Sequence, residues 1–209
     1  MTSTAPLSET AIANMGGMLL DDQAMTSLDQ GTSPYARFCQ REFGYVRDEE
    51  LKKHPWSFNK TMAVLAPDGT APAFRWQYSY TLPSDYLRLH EIRINPNGCK
   101  TPYELFGGKK VYTNTPSALY IVYGKRITNA AEFDPLFARC LGYRLGLMAA
   151  QMVTGKSGYV DKAASFYSTA MFEAVHTNAL EKGSDDYVDT GIAGASVGVL
   201  GARGIGMSR

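Results

Sequence analysis

Three histidines, three cysteines and one Gly-Lys-Ser triplet are the residues of this chain whose types could carry out chemistry, and none stands at the spacing such chemistry needs. A phosphate-binding loop requires a glycine five positions before its Gly-Lys. Here Ala150 occupies that place before Gly155-Lys156-Ser157, and the segment follows a helical pattern instead of a strand. A tight turn between two helices is the simpler reading. Gly198, Gly201, Gly204 and Gly206 form no dinucleotide fingerprint and lack a flanking βαβ pattern. His54, His90 and His176 have no metal-ligand partner at helical spacing, and Cys39, Cys99 and Cys140 form no CxxC pair. An odd, scattered cysteine set argues against a disulfide framework or a zinc site and fits a reducing compartment. Asp185-Asp186 with Asp189 reads as a solvated stretch. Only a pair assembled in space, such as Cys140 with His176, would supply a nucleophile and its base. The expectation is a protein without catalytic residues, metal or cofactor.

Binding chemistry is the other possibility. Trp76, Tyr78 and Tyr80, beside Arg75 and Arg88, are of the types that stack and clamp nucleic-acid bases. The plainer reading makes Trp76 and Tyr78 the core of a small β subdomain. With 21 basic against 20 acidic residues the formal charge is +1. That is far from the basic balance of a dedicated DNA- or RNA-binding domain, although a local patch stays open. A hydrophobic share of 44% and a charged share of 20% are those of an ordinary globular domain. No apolar run approaches the roughly 20 residues that span a bilayer. Met1 to Pro6 shows no charged-then-apolar pattern of a secretion signal, so the expectation is a protein made inside a cell, without membrane contact.

The elements that must position these residues fall into two groups: the chain reads as mainly α with a β-rich insertion, an α+β fold. Residues 1–7 read as a disordered start. From Ser8 to about Leu20, Ile12, Met15 and Leu19 recur at helical spacing with Ala11 and Met18 beside them, and Gly16-Gly17 marks a close approach to another helix. Ser33-Pro34 starts a second helix that runs to Lys53 and buries Tyr35, Phe38, Cys39, Val46 and Leu51; His54-Pro55 ends it. Glu49-Glu50 with Lys52-Lys53 reads as a solvated helix surface laced with opposite charges. Residues 56–131 read as the insertion. It holds extended runs around Met62 to Leu65, Arg75 to Tyr80 and Leu87 to Ile94, then Tyr103 to Phe106, Lys110 to Thr113 and Ala118 to Tyr123. Pro67-Asp68-Gly69 and Asn95 to Gly98 are turns, and Gly107-Gly108 is a hairpin. Asp134-Pro135 opens a third helix with Leu136, Phe137, Cys140, Leu141, Leu145, Met148 and Met152 on its apolar side. A connector over Thr154 to Gly158 leads to a fourth helix (Val160, Ala163, Ala164, Tyr167, Ala170, Met171, Ala174) that Gly183 stops. The helical part is thus 8–55 with 132–183, an antiparallel bundle of about four helices. Residues 184–209 hold six glycines and only scattered apolar side chains, too few for a core of their own. They read as an extended arm that orders against something else.

The order of several longer motifs resembles a known family. Ser8-Glu9-Thr10-Ala11-Ile12-Ala13-Asn14 comes first, and Arg47-Asp48-Glu49-Glu50-Leu51 runs into His54-Pro55-Trp56-Ser57-Phe58. Tyr78-Ser79-Tyr80-Thr81-Leu82-Pro83-Ser84-Asp85-Tyr86-Leu87-Arg88, then Glu132-Phe133-Asp134-Pro135-Leu136-Phe137 and Leu141 to Thr154 complete the series. Together they resemble the tail tubular protein A-like head-to-tail adaptor (connector) proteins of tailed phages, especially short-tailed ones. The resemblance implies a helical bundle with a β-rich insertion, assembled as a homo-oligomeric, dodecameric ring in the virion at the head–tail junction. Such a ring is put together in the host cytoplasm, lies between portal protein and tail nozzle, and lets double-stranded DNA pass. In that family a C-terminal arm reaches into the portal. By composition, Ile192, Val197, Val199, Leu200, Arg203, Ile205, Met207 and Arg209 are the residues for that task here. Arg37, Glu42, Arg139 and Arg144, taken as exposed helix positions, are the candidates for contacts between subunits. A near-neutral chain also suits a conduit, since each neutralised phosphate would hold the passing DNA more tightly.

Overall fold

Three side chains that satisfy orphan amides set the starts of the helices. In the computed structural model, which describes residues 7–96, 98 and 100–181, Ser8 Oγ accepts the Ala11 N–H at 3.1 Å and opens α1 (Glu9–Gly17). Ser33 Oγ accepts the Ala36 N–H at 3.1 Å, ahead of Pro34, and opens α2 (Pro34–Lys53). Asp134 Oδ1 accepts from both Leu136 and Phe137 and opens α3 (Pro135–Thr154). Only Gly155, left-handed at φ 63°, and Lys156 separate α3 from α4 (Ser157–Leu180). The linker is shorter than the expected Thr154–Gly158, because one left-handed glycine suffices to turn the chain. The expected first helix likewise tightens into a 3-10 turn at Met18–Leu20 and stops at left-handed Asp21. Met152, expected on the apolar side of α3, is instead 57% exposed, and Met18, beside the α1 stripe, is 72% exposed.

α3 is the element against which α1, α2 and α4 all pack. Phe137, Cys140, Leu141, Leu145, Ala149 and Ala150 on α3 have no appreciable exposure, and meet Ile12, Tyr35, Cys39, Val46, Leu51 and Trp56 in one core. At about 25 cal/mol per Å² of apolar surface removed from water, these side chains supply most of what holds the helices together. α1 comes close because it has no side chain in the way. A Cβ on Gly16 would lie 2.3 Å from the Gly142 carbonyl and 2.8 Å from the Gly146 nitrogen. The Tyr35 hydroxyl completes that contact by donating to the Ala13 carbonyl at 2.8 Å.

The insertion is two three-stranded antiparallel sheets. One has the order β1 (Lys60–Leu65), β6 (Leu119–Lys125), β3 (Tyr86–Arg93); the other has β2 (Tyr78–Thr81), β5 (Lys110–Thr113), β4 (Glu104–Phe106). Alternation sends Leu65, Ile92, Leu119, Ile121 and Tyr123 of the first sheet to meet Tyr80, Leu82 and Val111 around the second, forming a second core. Gly107 and Gly108, at φ 58° and 68°, turn β4 into β5. Asp68 ties the second sheet together: Ser79 and Thr81 donate their hydroxyls to it at 2.8 and 3.0 Å, and the Lys110 ammonium lies at 3.1 Å. The chain enters the insertion at Asn59 and leaves at Lys125, whose N–H donates to the Asn59 carbonyl at 2.9 Å. Arg88 on β3 donates to the Lys52 and Lys53 carbonyls, so a cation closes the C-terminus of α2.

The fold is therefore α+β, with four α-helices and two small sheets among the described residues. The extended run expected from Arg75 begins only at Tyr78, because Arg75 adopts φ 69° and the Trp76 N–H bonds back to the Phe74 carbonyl at 2.8 Å, a γ-turn. Ile94 and Tyr103 fall just outside β3 and β4. The expected arm at 184–209, its residues from Ile192 to Arg209, the stop at Gly183 and most of the start at 1–7 lie outside the described residues.

Candidate functional site

Glu50 departs most from the sequence-based expectation. It is fully buried, not part of a solvated surface, because it falls four residues after Val46 and seven after Phe43 on the packed side of α2. One carboxylate oxygen lies 2.5 Å from Lys53 Nζ and 3.4 Å from Arg144 Nε; the other accepts the Tyr167 hydroxyl at 3.0 Å. Lys53 and Arg144 flank the Tyr167 ring, each 5.6 Å from its centroid. Arg144 also reaches Glu49 at 3.3 Å. Burial works against the Lys53 charge, yet the hydrogen bonds and charge of Glu50 and the Tyr167 hydroxyl hold its pKa above the ordinary lysine value. Burial, with the Glu50 charge next to it, raises Tyr167. This cluster joins α2, α3 and α4 and has both Glu50 oxygens occupied. Its chemistry is that of a clasp.

The nucleophile–base pair raised by the sequence is not set up for reaction. Cys140 is fully buried and burial pushes its thiol up to about 12, while His176 stands on the exposed side of α4 with its ring stacked on Phe172 at 6.2 Å. His54 packs edge-on against Trp56 at 4.8 Å and lies 2.9 Å from the Asn178 amide. Asn178, buried near the end of α4, also accepts the Ser57 N–H at 2.7 Å and so ties the C-terminal helix to the segment that leads into β1. Among the described residues no group of three or more His, Cys, Asp and Glu is placed to hold a metal ion.

The three aromatics do not form one platform. Tyr80 has no exposure, and its hydroxyl donates to the Thr115 and Ser117 carbonyls at 2.6 and 2.7 Å. Trp76 and Tyr78, expected in the core, are half-buried at its margin. The Trp76 indole donates to Glu104 at 2.9 Å, and Arg75 covers its ring at 5.5 Å. Phe74, the first residue of the γ-turn, is 82% exposed.

Several large apolar side chains are exposed on the described surface. On the outer face of α4, Phe172 and Leu180 are each 74% exposed, and Phe166 lies beside a groove of about 280 Å³ bounded by Arg139, Tyr143 and Thr169. On the first sheet, Met62, Val64, Tyr120 and Val122 line a second groove of about 520 Å³, with Glu91 and Arg93 at its rim. Sequence reasoning missed Phe166, Phe172 and Leu180, although each lies off the apolar stripe it traced along α4. Of the polar interface candidates, Arg37 is exposed on α2 and Glu42 pairs with its neighbour Arg41 at 2.7 Å. Arg139 pairs with Glu173 across α3 and α4, and Arg144 belongs to the Glu50 clasp. Both arginines therefore serve the fold of their own chain. Among the described residues no helix is long and apolar enough to cross a membrane.

Comparison with models of known protein families finds no match, and comparison with curated proteins finds none either.

Proposed function

We infer that this chain is a structural head-to-tail adaptor of a tailed phage, acting as one copy in a ring between portal and tail nozzle through which double-stranded DNA passes. The supporting observation is the pairing of the ordered motif resemblance with a body of four helices carrying a β-rich insertion. A cyclic ring needs two different patches on each subunit, one meeting the other on the next copy. The outer face of α4, with Phe166, Phe172 and Leu180, supplies an apolar patch of the kind interfaces cover. The open side of α2, with Arg37, Arg41 and Tyr45, supplies a chemically different one. On this reading residues 184–209 engage the portal, and a dodecamer is the ring size.

Electron microscopy of the protein mixed with its cognate portal tests the assignment. Rings stacked on portal are expected, with Phe172→Glu abolishing the rings while leaving the monomer's thermal unfolding unchanged. Removing 184–209 is expected to abolish portal binding and spare contacts between copies. A monodisperse monomer at every concentration, with and without portal, would discard the adaptor role.

A further inference from the structure

Among the described residues the first sheet has an open edge at β1. β1 pairs only with β6 among the described residues, in the register Met62↔Val122 and Val64↔Tyr120. Because the Lys125 N–H bonds the Asn59 carbonyl, alternation along the ladder turns the backbone groups of Thr61 and Ala63 toward β6 and those of Met62 and Val64 outward. The same two residues carry the exposed side chains, Met62 at 81% and Val64 at 60%. Unpaired amides and apolar side chains thus coincide on one short edge. Such an edge ordinarily recruits a strand unless charge or proline blunts it, and β1 has only Lys60 at its start.

The end of α4 lies beside the segment that leads into β1. Asn178 bonds Ser57 at 2.7 Å, and Glu181 shares a small cleft with Trp56 and Phe58, so the chain beyond Glu181 sets out within a few residues of Lys60. Ten residues, 182–191, reach up to about 33 Å when extended, and β1 is only about 20 Å long. The next segment has a strand's pattern: Ala193, Ala195, Val197 and Val199 alternate with Gly194, Ser196 and Gly198, and no proline interrupts residues 182–209. Asp185, Asp186 and Asp189 lie in the connecting stretch, opposite in sign to Lys60 and Lys125 at the near end of the sheet.

We propose that, before assembly, residues 192–200 of each molecule pair with the open edge of its own β1, seating Val197 and Val199 against Met62 and Val64. This goes beyond the adaptor reading: the segment that reading sends into the portal is first held on its own sheet, where it covers a sticky edge and is released when a better partner arrives. The pairing in the isolated protein does not depend on the adaptor role.

Amide hydrogen exchange of the full chain, read residue by residue by NMR without portal present, tests it. In the wild type the Met62 and Val64 amides exchange at least tenfold more slowly than in Val197→Asp/Val199→Asp, while Val111 on β5 exchanges equally in both. Val64→Lys, a change at an exposed position, gives the same acceleration at Met62 with the tail intact. Equal exchange at Met62 and Val64 in wild type and the double variant overturns the proposal. Protection that rises with protein concentration overturns it too, since the covering strand would then come from another copy. Neither result touches portal binding, so this idea and the adaptor reading fail separately.

Discussion

Tyr167 on α4 donates its hydroxyl across 3.0 Å to Glu50 on α2, a carboxylate with no exposure. Removing the acid leaves Lys53 and Arg144 on either side of the Tyr167 ring with only the part-exposed Glu49 to offset their charges, and losing one partner of a buried pair costs about 3 kcal/mol. Glu50→Ala is expected to lose about that much in urea unfolding, whereas Tyr167→Phe, which drops the hydrogen bond to Glu50 and the longer one from Lys53, loses about 1–2 kcal/mol. Lys53, held above its ordinary pKa, adds stability that is complete below about pH 10 and fades as pH rises through the raised value. Glu50→Gln should remove that alkaline decline; its persistence would relieve Glu50 of the role.

The contact of α1 with α3 depends on the missing side chain at residue 16. Gly16→Ala places a methyl 2.3 Å from both the Gly142 carbonyl and the Tyr35 hydroxyl. Overpacking of this kind costs about 3 kcal/mol at its upper end, a fall of roughly 6–12 °C in melting temperature for a chain of this size. Gly158→Ala, with nothing within 4 Å of the added atom, serves as control and should melt no lower than wild type. Calorimetry of the two variants decides, and a Gly16→Ala protein with unchanged melting would mean that the helices can separate freely.

Acid should loosen the second sheet through Asp68. Burial alone would raise this carboxyl, but the hydrogen bonds from Ser79, Lys110 and Thr81, with the Lys110 charge, hold it below the usual carboxylate range. A depressed pKa contributes stability that is present above about pH 4 and lost as pH falls through the folded-state value. Asp68→Asn should therefore be less stable than wild type at about pH 7, by roughly 1 kcal/mol, and the gap should close at about pH 3. Urea unfolding at the two pH values measures it; a gap that widens in acid would reverse the sign of the linkage.

Burial pushes the Cys39 thiol up to about 11 and the Cys140 thiol up to about 12. Since only the thiolate attacks a disulfide reagent, neither should react in the native protein at about pH 8. In a Cys99→Ser background, titration with an aromatic disulfide is expected to show almost no reactive thiol until urea is added, then two. Prompt native reaction at Cys140 would reopen its pairing with His176.

The helix starts at Ser33-Pro34 and Asp134-Pro135 were legible because a cap acts within three residues of itself, and the Gly107-Gly108 hairpin because two left-handed positions select glycine. Glu50 was hidden by neighbours of the same chemistry: Glu49, Lys52 and Lys53 around it make a surface pattern. The clue was phase, since Glu50 continues the buried row of Phe43 and Val46, but its partners Arg144 and Tyr167 are about a hundred residues away and no local rule brings them together. Trp76 looked like core because it is aromatic and follows an alternating pattern; the left-handed turn at Arg75 ends that alternation at a residue with no glycine to announce it. The exposed phenylalanines of α4 were readable as off-stripe positions.

The Asn59–Lys125 hydrogen bond has a use in engineering. Both ends of the β insertion meet at that one bonded pair, so the insertion connects to the helices much as a plug does to a socket. A tight turn joining 59 to 125 could replace it, and a foreign domain whose own termini lie side by side could be mounted there, at the cost, among the described residues, of the Arg88 hydrogen bonds to the end of α2 and the Leu87 contact with the helical core.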